Sequence, residues 1–107
     1  MSDQEQEIFE IISQSGNAKS FAFEALSAVE SCDFAKAEKL INKADQALSL
    51  AHKTQTKLIQ DELNGKQVTR SLLLIHAQDH LMTAISEQKL VEHLIRIAKK
   101  FYRSSIS

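Results

Sequence analysis

No proline interrupts the 107 residues of this chain, and only Gly16 and Gly65 relax its backbone. Proline breaks a helix by clashing with the preceding turn and withholding an amide hydrogen, and glycine weakens one through backbone entropy. Nothing in the interior therefore stops long helices from forming. Ala, Leu, Ile, Lys, Glu and Gln dominate the remainder, and all of these except Ile are strong helix formers. The fold class that follows is all-α. A chain of this length has room for one hydrophobic core, so residues 1–107 are expected to form a single domain.

The apolar spacing divides the chain into three. Ile8, Ile11, Ser15, Ala18, Ala22, Ala25 and Val29 recur every three or four residues and predict a first helix over about 4–31. Its seam is built of small side chains, which permits close backbone approach and a tight helical hairpin. Asp33 can accept the free amide hydrogens of a second helix. That helix is expected over 34–63, with Phe34, Ala37, Ile41, Ala44, Leu48, Ala51, Gln55 and Leu58 on one stripe. Asn64 and Gly65 both tolerate the left-handed conformation that closes a helix. Thr69 is the expected N-cap of a third helix over about 70–102, with the closing SSIS a fraying polar tail. Three helices of about 30 residues span roughly 40–50 Å each and make a three-helix antiparallel bundle.

The third helix differs in kind. Leu72, Leu73, Leu74 and Ile75 cover almost its whole circumference, and Leu81, Met82, Ala84 and Ile85 continue the pattern. A three-helix bundle buries one stripe of each helix. A helix apolar all round in so small a domain needs a neighbour against its second face, which predicts an oligomer built around helix three.

Composition excludes several classes. Thirteen basic and fourteen acidic residues give a net charge of -1, so nucleic acid is not an expected partner. The longest apolar run, Leu72–Ile75, is far short of the roughly 20 residues of a membrane span. The acidic N-terminus lacks the apolar core of a signal peptide, and a cytoplasmic protein is expected. Cys32, the only cysteine, excludes an internal disulfide, fits a reducing compartment and is expected as a small buried filler.

On a helix, His76, Asp79, His80 and Thr83 fall within one arc of about 100°. Polar groups on so apolar a helix cost free energy unless they are paired or needed for chemistry. Three readings are open. Two histidines at i and i+4 can share a zinc ion, although Ala77 stands where a zinc protease would carry its general-base glutamate. Histidines can be satisfied within a bundle core. A neutral imidazole can also attack phosphorus and pass the phosphoryl group onward.

The run Leu74-Ile75-His76-Ala77-Gln78-Asp79-His80-Leu81-Met82-Thr83 resembles the signature of the lactose/cellobiose-type enzyme IIA subunits of the bacterial phosphoenolpyruvate:sugar phosphotransferase system. The resemblance extends through Ser15-Gly16-Asn17-Ala18-Lys19-Ser20, Asp33-Phe34-Ala35-Lys36-Ala37 and Ala51-His52-Lys53-Thr54-Gln55-Thr56. It implies a homotrimer that takes a phosphoryl group from HPr and passes it to a cysteine of enzyme IIB, upstream of the membrane enzyme IIC.

Carried over residue by residue, the resemblance implies that His76 is phosphorylated on Nε2 and that His80 orients or bonds the phosphoryl group. It implies that Asp79, one from each subunit at the threefold axis, holds a divalent metal ion, Mg2+ by expectation. Three close carboxylates must share a cation or protonate. Gln78 lies about 200° from His76 on an ideal helix and would assist only across a subunit boundary. Gly16-Asn17-Ala18-Lys19 and His76-Ala77-Gln78 look more like cellobiose or chitobiose subunits than lactose ones, so a β-linked disaccharide is the expected sugar. The alternatives are a trimeric metal-stabilised helical adaptor without transfer activity, and a small metal-binding protein with His76 and His80 as ligands.

The remaining polar residues carry no expected transfer chemistry. His52, Gln55 and Thr56 form a second cluster suited to structural hydrogen bonding. His93 reads as a solvated edge residue. Lys99, Lys100 and Arg103 sit at the negative end of the third helix dipole, where cations are favoured.

Overall fold

The structure, a computed structural model, describes the backbone of residues 2–106 and the side chains of residues 2–105. It consists of three helices: α1 (Asp3–Glu30), α2 (Phe34–Leu63) and α3 (Leu72–Ile106). The contacts between helices fix their directions. The start of α1 meets the approach to α3, where Gln4 Nε2 donates to the Gln67 carbonyl and Gln4 Oε1 accepts from the Thr69 amide. Further along, Lys19 faces Glu87, so α1 and α3 run parallel. Between α2 and α3 the order reverses: Gln55 pairs with Gln78, Asp45 with Gln88, and Glu38 with Lys99. Up-down-up topology follows. The body measures 60 × 23 × 19 Å, a rod set by helix length.

Each helix end has a chemical cause. Ser2 caps α1 in a reciprocal box, its hydroxyl accepting from the Glu5 amide while the Glu5 carboxylate accepts from the Ser2 amide. Asp33 caps α2 by accepting from the Lys36 amide at 3.1 Å. At the end of α2, the Gly65 amide donates to the Glu62 carbonyl and the Lys66 amide to the Asp61 carbonyl. Gly65 alone takes a positive φ, 87°, while Asn64 keeps a negative one.

The same turn closes α1, where the Cys32 amide donates to Val29 and the Asp33 amide to Ala28. It places Cys32 at φ 60°, exposed. The expectation of a buried filler is wrong because the left-handed closing residue of this turn points away from the bundle.

Helix α3 begins later and ends later than its sequence pattern suggests. Ser71, not Thr69, is the cap: its hydroxyl accepts from the Leu74 amide and its carbonyl from the Ile75 amide. Thr69 is drawn off by its backbone bond to Gln4. At the far end, Arg103–Ile106 stays helical, where a fraying tail was expected. No breaker stands there, and the Ser105 hydroxyl donates back to the Tyr102 carbonyl.

Small residues line the centre. Ile8, Ile11, Ala18, Ala44, Leu48, Ala51, Ala77, Leu81 and Ala84 form one buried cluster, and Ala22, Ala25, Ala37, Ile41, Val91 and Ile95 a second further along the rod. Alanine on facing helices allows the axes to approach, so α1 and α2 pack most extensively. The Ser15 hydroxyl is fully buried in this seam without a hydrogen-bond partner.

Candidate functional site

The buried stripe of α3 runs through Ala77, Leu81, Ala84, Gln88, Val91 and Ile95. A helix anchored by that face must turn Leu72, Ile75, Asp79, Met82, Ser86, Leu90, His93 and Ile97 outward, and all of these are exposed. Leu72 keeps 82% of its surface in solvent and Ile75 63%. This second stripe repeats every three or four residues, the spacing of a helix–helix seam. Asp79 stands within it, between Ile75 and Met82.

His76 and His80 lie on the flank between the two stripes. His76 is exposed and His80 half-buried. Their rings stack, with centroids 5.6 Å apart and an interplanar angle of 15°. Lone pairs of ring nitrogens lie in the ring planes, and two nearly parallel planes do not converge on one ion. In this arrangement the two histidines are not a metal-binding pair. Thr83, the fourth member of the cluster, donates its hydroxyl to the His80 carbonyl at 3.1 Å.

His80 is held against α1. A methyl group placed on Gly16 would stand 3.5 Å from His80 Nε2, ordinary van der Waals contact, so the ring faces the glycine on α1. Burial pushes the His80 pKa below its ordinary 6.5, and the positive charges of Lys19 and of a protonated His76 add to the effect. Glu87 and Asp79 oppose it. His80 is therefore neutral at neutral pH, with one N–H to donate and one nitrogen to accept.

Gln78 is turned to the other side of α3, where its carbonyl oxygen accepts from Gln55 Nε2 of α2. It does not approach His76 within the chain. Gln55 thus has a structural partner, while His52 and Thr56 are exposed. His93 is an exposed residue whose Nδ1 lies 2.9 Å from an Arg96 guanidinium nitrogen. Lys99 reaches Glu38 on α2.

Among the described residues, no group of three His, Cys, Asp or Glu side chains could hold a metal ion within one chain. Asp79 supplies a single outward carboxylate.

Sequence reasoning missed Lys19 and Glu87 as neighbours of the histidines. Lys19 follows Gly16 by three residues on the same face of α1, and its Nζ lies 4.0 Å from Glu87 Oε1. The signal was the Gly16–Lys19 spacing, but which part of α3 it faces depends on the register between helices.

The fold is thus an all-helical bundle carrying a stacked imidazole pair on one flank of α3, with His76 exposed. The chain matches the family described as "PTS system, Lactose/Cellobiose specific IIA subunit" over residues 6–99, and it belongs to that family. It is 42% identical to the lichenan-specific phosphotransferase enzyme IIA component of Bacillus subtilis over 98 residues, 92% of this chain and 89% of the relative. It is 42% identical to the lactose-specific EIIA component of Staphylococcus epidermidis over 92 residues, 86% of this chain and 88% of the relative.

Among solved structures, the cellobiose-specific enzyme IIA of Bacillus anthracis superposes with a TM-score of 0.92 at 45% identity, over 96% of this chain and 94% of that one. The chitobiose IIA of Escherichia coli, solved in complex with HPr, matches with a TM-score of 0.80 at 35% identity, over 95% and 99%. No helix among the described residues is long and apolar enough to cross a membrane.

Proposed function

We propose that this chain is a cytoplasmic phosphocarrier in which His76 accepts a phosphoryl group from phosphorylated HPr and passes it to a cysteine of enzyme IIB. The observation that carries the reading is the exposed imidazole of His76 stacked on a half-buried neutral His80, within a chain of the IIA family. In the first transfer, an unprotonated ring nitrogen of His76 attacks phosphorus. A new N–P bond forms as the donor histidine's N–P bond breaks and its lone pair returns. In the second, a cysteine thiolate attacks, an S–P bond forms, and His76 regains its lone pair. His80, kept neutral by burial, offers its one N–H to a phosphoryl oxygen. The E. coli relative solved with HPr supports the same donor here.

The outward stripe supports a homotrimer. Leu72, Ile75, Met82, Leu90 and Ile97 leave a long apolar face that three copies packed around a common axis would bury. Asp79 would then bring three carboxylates together, and a divalent cation such as Mg2+ would offset two of their three charges. Gln78 takes part only if a neighbouring copy brings His76 to it. The relatives' named sugars, among them lactose, cellobiose and chitobiose, favour a β-linked disaccharide, taken up and phosphorylated through the membrane enzyme IIC.

The test is intact-mass analysis after incubation with phosphoenolpyruvate, enzyme I and HPr, comparing the native chain with His76→Ala. An acid-labile phosphoryl adduct on the native chain alone is the expected result. No adduct in the presence of phosphorylated HPr would leave the trimeric adaptor as the reading.

A further inference from the structure

The geometry points to Lys19 as a phosphoryl-binding residue that exchanges partners during the cycle, ion-paired with Glu87 when His76 is free and bonded to a phosphoryl oxygen when His76 is charged. This rests on the phosphocarrier reading and adds a residue to its site.

The argument begins with charge. A phosphoryl group brings between one and two negative charges at neutral pH, by analogy with other phosphorylated side chains. His76 lies in the second turn of α3, with Asp79 and Glu87 on the same helix, so the group would form among carboxylates. The backbone amides of a helix interior are already bonded and cannot receive it. A cation from another element must supply the balance, and Lys19 of α1 is the lysine whose charge acts on the His80 ring.

The hold on Lys19 is loose. Its Nζ stands 4.0 Å from Glu87 Oε1, beyond hydrogen-bond length, and Glu87 Oε2 is buried with no partner. The Lys19 side chain is mostly covered, at 24% exposure, so its stem is directed along the bundle rather than out into water. Gly16, one turn earlier on α1, lies against the same ring, where a Cβ would stand 3.5 Å from His80 Nε2, so the α1 surface that carries Lys19 runs beside the histidine pair. A four-carbon stem with three rotatable donors can turn along that surface toward the pair. No bond within the protein is broken except the long pair to Glu87.

The test uses the full chain with phosphoenolpyruvate, enzyme I and HPr, and measures how the phosphoryl group divides between HPr and the chain at equilibrium. Lys19→Met is expected to move that division about tenfold or more toward HPr, the loss of one charge-assisted hydrogen bond. Lys19→Arg, which keeps a cation, is expected to recover most of it. Phosphorus NMR titration of the phosphorylated chain should show the phosphoryl pKa rising in Lys19→Met, since a nearby cation favours the dianion.

Glu87→Gln frees Lys19 without removing it and is expected to hold the phosphoryl group at least as tightly as the native chain. Lys19→Met matching the native division and phosphoryl pKa overturns the assignment. So does Glu87→Gln failing as badly as Lys19→Met, because the pair would then be scaffold. A native chain that takes up no phosphoryl group overturns the carrier reading itself, a result distinct from either.

Discussion

The ring of His80 lies within 15° of parallel to that of His76, 5.6 Å away between centroids, and faces Gly16 of α1, so the exposed histidine is backed by a half-buried one. Burial keeps His80 neutral, which fits it to steady a transferred group by a hydrogen bond rather than by charge. His80→Ala is accordingly expected to slow phosphoryl uptake at His76 by roughly tenfold to a hundredfold while leaving His76 able to form the adduct. Rapid-quench measurement of transfer from phosphorylated HPr reads this directly. An unchanged rate would remove His80 from the site.

Asp79 sits in an apolar stripe between Ile75 and Met82. Three such carboxylates brought together without a cation repel one another, while three leucines would extend the seam. Chelation should therefore weaken the association of the native chain, and Asp79→Leu should neither bind the metal nor respond to chelator. Sedimentation with metal analysis checks both. A metal-bound trimer of Asp79→Leu would place the ion elsewhere.

Asp45 lines a groove between α2 and α3 and accepts from Gln88, whose amide also donates to Glu92 at 2.8 Å. Partial burial, then the charge of Glu92, push the Asp45 pKa above its ordinary 3.8, with the Gln88 bond opposing. The folded chain thus binds this proton more tightly than the unfolded chain does. The contribution favours folding below pH 3.8 and is lost as pH rises through the native value. Asp45→Asn, which keeps an acceptor for Gln88, should melt a few degrees higher than the native chain at pH 7 and lose that advantage in acid. Melting curves across pH that run parallel would contradict it.

Cys32 and Gly65 occupy the same position in the turns that end α1 and α2, with φ of 60° and 87°. A side chain in this region costs roughly 1–2 kcal/mol, part of which glycine returns through its freer unfolded state. Cys32→Gly is expected to stabilise the chain by about 1 kcal/mol and Gly65→Ala to destabilise it by about as much. Beyond its two chain neighbours, no atom of the described residues lies within 4 Å of a methyl group at Gly65, so backbone strain would be measured there. Urea denaturation of the two variants gives the comparison.

Much of the fold is legible because the chain punctuates itself. Asp33 opens α2 and Gly65 closes it in the structure as their chemistry in sequence suggests. The apolar surround of α3 forecasts an outward stripe, and the exposed Leu72, Ile75 and Met82 are that stripe. What escapes a linear reading depends on contacts between helices. Ser71 and Thr69 are both competent caps, and a hydrogen bond from the Thr69 amide to a residue more than sixty positions away, Gln4, decides between them. The exposure of Cys32 follows from a turn geometry that composition does not encode. Gln78 meeting Gln55, and Lys19 meeting Glu87, are matters of register, to which periodicity along one helix is blind.

His76 is exposed on one flank of α3, a single face of a rod-shaped body. Under the proposed relay, donor and acceptor must land on the same ground in turn. The unloaded form of either then competes with the loaded form of the other, and throughput falls when either is in large excess. Traffic through this protein would be governed by the balance of its two visitors as much as by the chemistry each performs.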